Sequence, residues 1–323
     1  MKVYRALDAL PARRPGVVAT IGNFDGVHRG HQELVRQVVA AGRHRGLEAW
    51  GITLDPHPAK ILHPESAPPL LTTLEQRLEL LAALGLDATL VLPFTLELAR
   101  LSPRDFVSDV LGRALEARVL YVGPNFRFGH RQAGDVSVLG ELARELGFEL
   151  HILPPVVFRR QVVSSTFIRH LIAEGEVDRA GRLLGRPFAL TGAIQPGEGR
   201  GRRVGIPTLN LNPDQECLPA RGVYITETSV NQHIYPSATN VGIRPTFDGQ
   251  QLMVESHLLG FNETLRAGRL ETRFHRRLRA EMKFSSAELL REQIEQDIAR
   301  TRRFFERVRT LASRTRTPRQ ARG

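Results

Sequence analysis

Apolar positions in the first half of the chain alternate between two patterns. Gly16-Val-Val-Ala-Thr-Ile21 is a continuous apolar run of strand length, and Leu34, Val35, Val38 and Val39 then recur at helical spacing up to Gly46. Glu48 to Leu54 is again strand-like. Leu74, Leu78, Leu81 and Leu84 line one helical face ending near Gly85, and Ala88 to Leu92 returns to the strand pattern. A further helix opens at Ser102-Pro103, with serine as N-cap and proline at the first helical position, before the strand Arg118 to Val122. A helix over Val136 to Leu146 and a strand over Phe148 to Leu153 complete the series. Strands alternating with helices predict an α/β domain, a parallel sheet covered on both faces with ligands at the carboxyl ends of its strands.

The pattern changes after a short helix over Glu176 to Leu184, where Gly185-Arg186-Pro187 breaks the periodicity. Six short apolar segments follow, parted by Gly, Pro and Asn: Phe188 to Ile194, Ile206 to Leu211, Val223 to Glu227, Ser237 to Val241, Leu252 to Leu259 and Leu270 to Arg273. This spacing predicts a small closed six-stranded β-barrel. A C-terminal helix from Ser286 to about Val308, with Leu289, Ile294 and Ile298 among its apolar positions, would pack on it. The expected organisation is a first domain over 1–185, a second over 186–307 and a basic tail over 308–323.

Composition changes this picture little. A chain of 323 residues with 41% hydrophobic and 24% charged positions suits two soluble domains with separate cores and excludes disordered and fibrous classes. No apolar run reaches the length of a membrane span, and Met1 to Leu10 has no signal-peptide core, so a cytoplasmic protein is expected. The single cysteine, Cys217, excludes an intramolecular disulfide and a cysteine-rich metal site. The net charge of +11 raises a nucleic-acid hypothesis. Its placement weakens it, because Arg309, Arg314, Arg316, Arg319 and Arg322 lie in a terminal stretch without acids or interleaved aromatics, as expected of a solvated tail. No GxxxxGK[ST] loop occurs, which excludes a Walker-type kinase.

The candidate chemistry starts at Gly22-Asn-Phe-Asp-Gly-Val-His-Arg-Gly-His31, a strand-to-helix corner. Unpaired N–H groups and the positive end of the helix dipole attract phosphate there. His28 and His31 can donate to phosphate oxygens, and Gly30 leaves room for a flat group beside the backbone. A spacing of three without cysteine support argues against zinc. Pro56, His57 and Pro58 follow the second strand. In Gly123-Pro-Asn-Phe-Arg-Phe-Gly129, two phenylalanines either close the core or form a slot for a planar ring. Ser164, Ser165 and Thr166, with Arg169 one turn on, serve either as helix caps or as a second phosphate cradle.

In the second half, Gly192, Gly197, Gly199, Gly201 and Gly205, interspersed with Arg200, Arg202 and Arg203, form a flexible hairpin or a phosphate flap. Thr208 and Asn210, two apart on one strand face, are hard oxygen ligands suited to Mg²⁺. Glu255 lies in an alternating segment, where it either faces water or serves as general base for a substrate hydroxyl.

GNFDGVHRGH, DPHP, GPNFRFG and SSTxIR, in this order, resemble the adenylyltransferase module of the bacterial bifunctional riboflavin kinase/FAD synthetase family. The resemblance implies a Rossmann-like nucleotidyltransferase fold that joins AMP from ATP to FMN with Mg²⁺ and releases pyrophosphate. It implies that His28 and His31 steady the ATP phosphates and that Ser164, Ser165, Thr166 and Arg169 grip them from the opposite side. Asn23, Phe24 and Gly30 would line the ATP site, and Asp25, Pro56, His57, Pro58, Asn125 and Phe128 the flavin site. The second half is similar to the riboflavin kinase module of the same family, through the glycine-rich stretch ending in Pro207-Thr-Leu-Asn210, through Val254-Glu-Ser-His-Leu258 and through Leu278 to Phe284. There the resemblance implies ATP on Gly197, Gly199 and Gly205, Mg²⁺ on Thr208 and Asn210, and Glu255 deprotonating the terminal hydroxyl of riboflavin.

Two departures stand out: Leu209 replaces an alanine, and Leu265-Arg-Ala-Gly268 replaces a tyrosine-glycine pair. They keep open a protein that only adenylylates FMN, with a degenerate kinase module. An RNA-binding protein is the rival from another class, because HxGH also occurs in class I aminoacyl-tRNA synthetases. The expected partners are riboflavin, FMN and ATP, with neither membrane nor nucleic acid, and association between copies of the chain is left open.

Overall fold

The structure is a computed structural model. It describes residues 1–11, 15–195, 206–246, 249–261, 263, 265 and 267–316. The chain divides into two compact units, Met1–Phe167 and Ile168–Gly323.

The first unit is a six-stranded parallel sheet of β1 (Lys2–Tyr4), β2 (Val17–Ile21), β3 (Glu48–Asp55), β4 (Ala88–Pro93), β5 (Ala117–Val122) and β6 (Glu149–Ile152), in the order β1-β4-β3-β2-β5-β6. All five residues of β2 are buried, which explains its unbroken apolar run: a central parallel strand is covered on both faces. From β2 the chain builds outward through β3 and β4 on one side, then crosses to β5 and β6 on the other. Such a reversal opens a crevice at the carboxyl ends of the strands flanking it, here β2 and β5.

Helix α1 (Arg29–Arg45) ends on Gly46, whose left-handed φ of 66° closes it. Helix α2 (Pro58–Leu62) follows β3, and α3 (Leu74–Ala83) opens on a Thr73–Gln76 capping box. After β4 come α4 (Leu96–Arg100) and α5 (Pro103–Asp105), the latter capped by Ser102 and continuing as a π-helical stretch over Phe106–Ala114. Helix α6 (Val136–Leu146) precedes β6, and a hairpin of β7 (Val157–Phe158) and β8 (Gln161–Val162) leads to α7 (Ser165–Ala173), within which the division between units falls. The sequence pattern carried no signal for β1, α2, α4 or the hairpin, all five residues or shorter.

In the second unit, α8 (Val177–Leu184) precedes a closed antiparallel barrel of β9 (Phe188–Gln195), β10 (Leu209–Pro213), β11 (Gly222–Val230), β12 (His233–Thr246), β13 (Gly249–Leu258) and β14 (Arg269–Arg279). Its interior is partly polar. The hydroxyls of Thr226, Thr228, Ser237, Thr239, Ser256 and Thr272 are buried and linked to one another at 2.6–3.3 Å, so a polar core is satisfied without water. Gly192 belongs to β9 rather than to the glycine-rich loop. A side chain there would meet the Asn212 carbonyl at 1.7 Å, so only glycine lets the two strands approach.

Helix α9 (Ala287–Arg316) runs past the expected end near Val308, so the basic stretch begins as helix. Its buried stripe differs from the expected one: Leu289 is exposed, while Asp297, Thr301 and Phe305 are buried. Asp297 earns that place through an ion pair of 2.9 Å with Arg279, which satisfies a buried carboxylate.

Candidate active sites

The first site is the corner between β2 and α1. His28 caps α1, its Nδ1 accepting the His31 N–H at 3.3 Å, and no acidic residue occupies the first turn, so the positive helix end faces outward uncompensated. The two imidazoles stack at 3.7 Å between centroids and 12° between planes, and Phe24 meets His31 edge-on at 5.2 Å. Gly30 suits this stack, since a Cβ there would lie 3.1 Å from the His28 ring, a tight contact that the ring would have to yield to. The room that glycine leaves is thus taken by His28. Phe24 and Val27 hold left-handed φ values of 48° and 38°, the local strain that residues at functional turns carry. Burial pushes the His31 imidazole well below its ordinary pKa, with the charges of His28 and Arg77 adding to the effect, so His31 is neutral at neutral pH.

The corner is held from below and from the side. The buried Asp25 carboxylate accepts the N–H groups of Leu71 and Thr72 and the Thr72 hydroxyl at 3.0–3.1 Å. Asp25, expected beside the flavin, braces the loop through these bonds. Asn23 lies 3.1 Å from Nε2 of His57, and His57 caps α2 by accepting the Ala59 N–H at 3.2 Å, so the loops after β2 and β3 are joined. Pro56 is exposed and Pro58 half-buried beside it.

Ser164 and Ser165 lie beside the corner: the Ser165 hydroxyl donates to the Asp25 carbonyl at 2.9 Å, and Ser164 caps α7 by accepting the Phe167 N–H at 3.3 Å, as the cap reading expected. Thr166 is exposed, and Arg169 falls beyond the division, in the second unit. In the loop after β5, Asn125 is exposed, but Phe128 is 6% exposed and packs on Phe106 and Phe126. Of the two readings of this loop, core closure holds for Phe128. Phe24, likewise, is wholly buried in the core under the corner. Arg77 escaped the sequence reading. The signal was its position on the apolar stripe of α3, three residues after Leu74 and four before Leu81, where a charge stays only if something inside answers it.

The second site lies on the outer wall of the barrel. Register places Asn210 opposite Glu255, and Glu255 opposite Asn240, while Leu209 faces Ser256 on the interior and is buried there. The substitution at Leu209 thus points away from its two polar neighbours. A cavity of about 320 Å³ lies between this wall and α9, lined by Thr208, Asn240, Glu255 and His257 on one side and by Leu290, Ile294 and Asp297 on the other. Glu255 is half-buried and lines this cavity. Nδ1 of His257 donates to the Pro207 carbonyl at 2.8 Å and pins the residue before Thr208 to β13. Among the described residues, Oδ1 of Asn210 is buried without a hydrogen-bond partner, a hard oxygen of the kind Mg²⁺ takes, so the donor set fits such an ion. Gly197, Gly199 and Gly205, with Gly201, Arg200, Arg202 and Arg203, lie outside the described residues, as does Arg266.

Among the described residues no helix is long and apolar enough to cross a membrane. Residues 10–167 match the sequence model of FAD synthetase and residues 184–305 that of riboflavin kinase. The chain is 34% identical to the bifunctional riboflavin kinase/FMN adenylyltransferase of Escherichia coli K12, over 94% of its own length and 98% of that protein's. It is 35% identical to the Pseudomonas fluorescens protein of the same name, over 94% and 97%. A crystal structure described as a macrolide-efflux protein from Streptococcus pneumoniae shares the fold with a TM-score of 0.84 at 29% identity, covering 93% of this chain and 98% of that one. With relatives of this identity spanning nearly its whole length, the chain belongs to the bifunctional riboflavin kinase/FMN adenylyltransferase family.

Proposed function

We propose that the second unit phosphorylates riboflavin to FMN and that the corner of the first unit adenylylates FMN to FAD. The observation that carries this reading is that each compact unit has a separate site of its own chemistry: a stacked histidine pair at a helix N-terminus, and a half-buried carboxylate in a cavity on the barrel wall beside a buried amide oxygen that lacks a partner among the described residues.

At the corner, a phosphate oxygen of FMN attacks the α-phosphorus of ATP, the bond from that phosphorus to the bridging oxygen breaks, and pyrophosphate leaves. No covalent enzyme intermediate is needed. His28 and His31 donate to phosphate oxygens whose charge grows in the transition state, and Ser164, Ser165 and the N–H groups at the start of α1 hold the nucleotide in line. At the barrel wall, Glu255 takes the proton of the terminal riboflavin hydroxyl as its oxygen attacks the γ-phosphorus of ATP, and ADP departs. Thr208 and Asn210 would hold Mg²⁺, which would neutralise phosphate charge there. His257 keeps Thr208 in place through Pro207.

The test is direct. The purified chain is incubated with riboflavin, ATP and Mg²⁺ and the flavins are separated by chromatography; FMN and then FAD are expected. Conversion of added FMN to FAD without any phosphorylation of riboflavin would overturn the kinase half.

A further inference from the structure

We propose that Arg77 is the positioning residue for His31: its donor-only guanidinium serves the buried Nδ1 side of that imidazole and leaves the ring proton on Nε2, facing the nucleotide. The inference rests on the reading of His31 as a phosphate ligand.

Arg77 is 1% exposed. Its Nη1 donates to the Thr53 hydroxyl at 3.1 Å and to the Leu54 carbonyl at 3.2 Å, while Nε and Nη2 are buried without a partner. Six buried side-chain nitrogen or oxygen atoms lack a partner among the described residues, and four of them are Arg77 Nε, Arg77 Nη2, His31 Nδ1 and Thr20 Oγ1. These four share one side of the sheet. Val18 of β2 and Ala49 of β3 pack into the core cluster that also holds Leu34 and Val35 of α1 and Leu81 of α3. Side chains alternate along a strand, so Thr20 and Thr53 point to that same face. The charge of Arg77 reaches the His31 ring there, behind burial and His28 as a cause of its lowered pKa.

A guanidinium has five donors and no acceptor. With its free Nε and Nη2 donors filling both lone pairs of one ordered water, it leaves that water only to donate, to Nδ1 of His31 and to the Thr20 hydroxyl. Nδ1 of a neutral His31 then carries the lone pair, and Nε2 carries the proton. His28 reaches the same state by another route, since its Nδ1 accepts a backbone N–H. The stacked rings thus present matching Nε2–H edges, one set by the backbone and one by Arg77. Asp25, Asp55 and Glu75 supply the opposing charge that lets a buried cation stay there.

The test uses the full chain with Arg77→Met, Arg77→Gln and His31→Gln. Nitrogen NMR of the imidazoles reads the tautomer, and FAD formation from FMN is followed beside FMN formation from riboflavin in the same sample. Arg77→Met should mix the His31 tautomers and lower kcat for FAD formation about 10- to 100-fold, as loss of an orienting partner does elsewhere, with FMN formation unchanged. Arg77→Gln, which keeps a polar head, gives the same readout if the methionine variant folds poorly, and its tautomers should also mix. A single Nε2–H tautomer retained in both variants would overturn the proposal. Unchanged FAD formation in His31→Gln would instead overturn the role of His31 itself, and the tautomer measurement keeps the two failures apart.

Discussion

The two sites of this chain are positioned by opposite means. At the β2–α1 corner the working groups stand on a loop, and the loop is shaped by groups hidden under it: Asp25 grips Leu71 and Thr72, Thr53 donates to the Asn23 carbonyl at 3.2 Å, and Phe24 fills the core. On the barrel wall, Asn210, Glu255 and Asn240 stand side by side because antiparallel register puts them there. The corner depends on buried polar contacts contributed by distant parts of the chain. The wall depends on alternation, a property of each strand by itself.

The sharpest test of this separation is Glu255→Gln, which should lower FMN formation by about 10²- to 10⁴-fold, the range for loss of a general base, while FAD formation from added FMN continues; a product assay with each flavin reads both. The double variant His28→Ala, His31→Ala reverses the pattern. FAD formation should fall about 10²- to 10³-fold, as when transition-state donors are removed, and FMN formation should persist. Joint loss of both activities would mean that the sites are not separable.

Asp25→Ala strands three buried donors and should destabilise the first unit by about 3 kcal/mol, seen in denaturant unfolding together with loss of FAD formation. Gly192→Ala is its counterpart in the barrel. The clash with the Asn212 carbonyl should cost about 1–3 kcal/mol and lower FMN formation through folded fraction alone.

The smallest effect is on pH. The unfolded chain protonates His31 at its ordinary pKa near 6.5, whereas the folded corner takes that proton only at lower pH. The unfolded state therefore binds more protons below that value, and stability falls as pH drops from about 6.5 toward 5 and is unaffected above it. Thermal midpoints of the native chain and of His31→Gln should diverge in that window, the native chain losing more.

Much of this was legible in the chain. The helix Val136–Leu146 and the helix cap at Ser102 stand where periodicity and capping chemistry put them, since both are local. His28, His31, Thr208 and Glu255 stood out because turn and strand context make their positions informative. Leu289 and Phe128 show the limit. A helical stripe drawn from apolar residues missed Asp297, whose burial depends on Arg279 from β14, and a loop phenylalanine could not be assigned to core or ligand until Phe106 was seen against it.

The sequence by itself determined the order of the longer strands and helices, the change from α/β to barrel, and the identity of the polar groups on offer, because periodicity and turn chemistry act over a few residues. Only the tertiary structure decided which of those groups line a cavity or a helix end and which hold a loop. Asp25 and Thr72, or Arg77 and His31, are far apart in sequence, and whether a buried polar atom finds a partner is settled by packing, since an unanswered one costs more than the made contact gains.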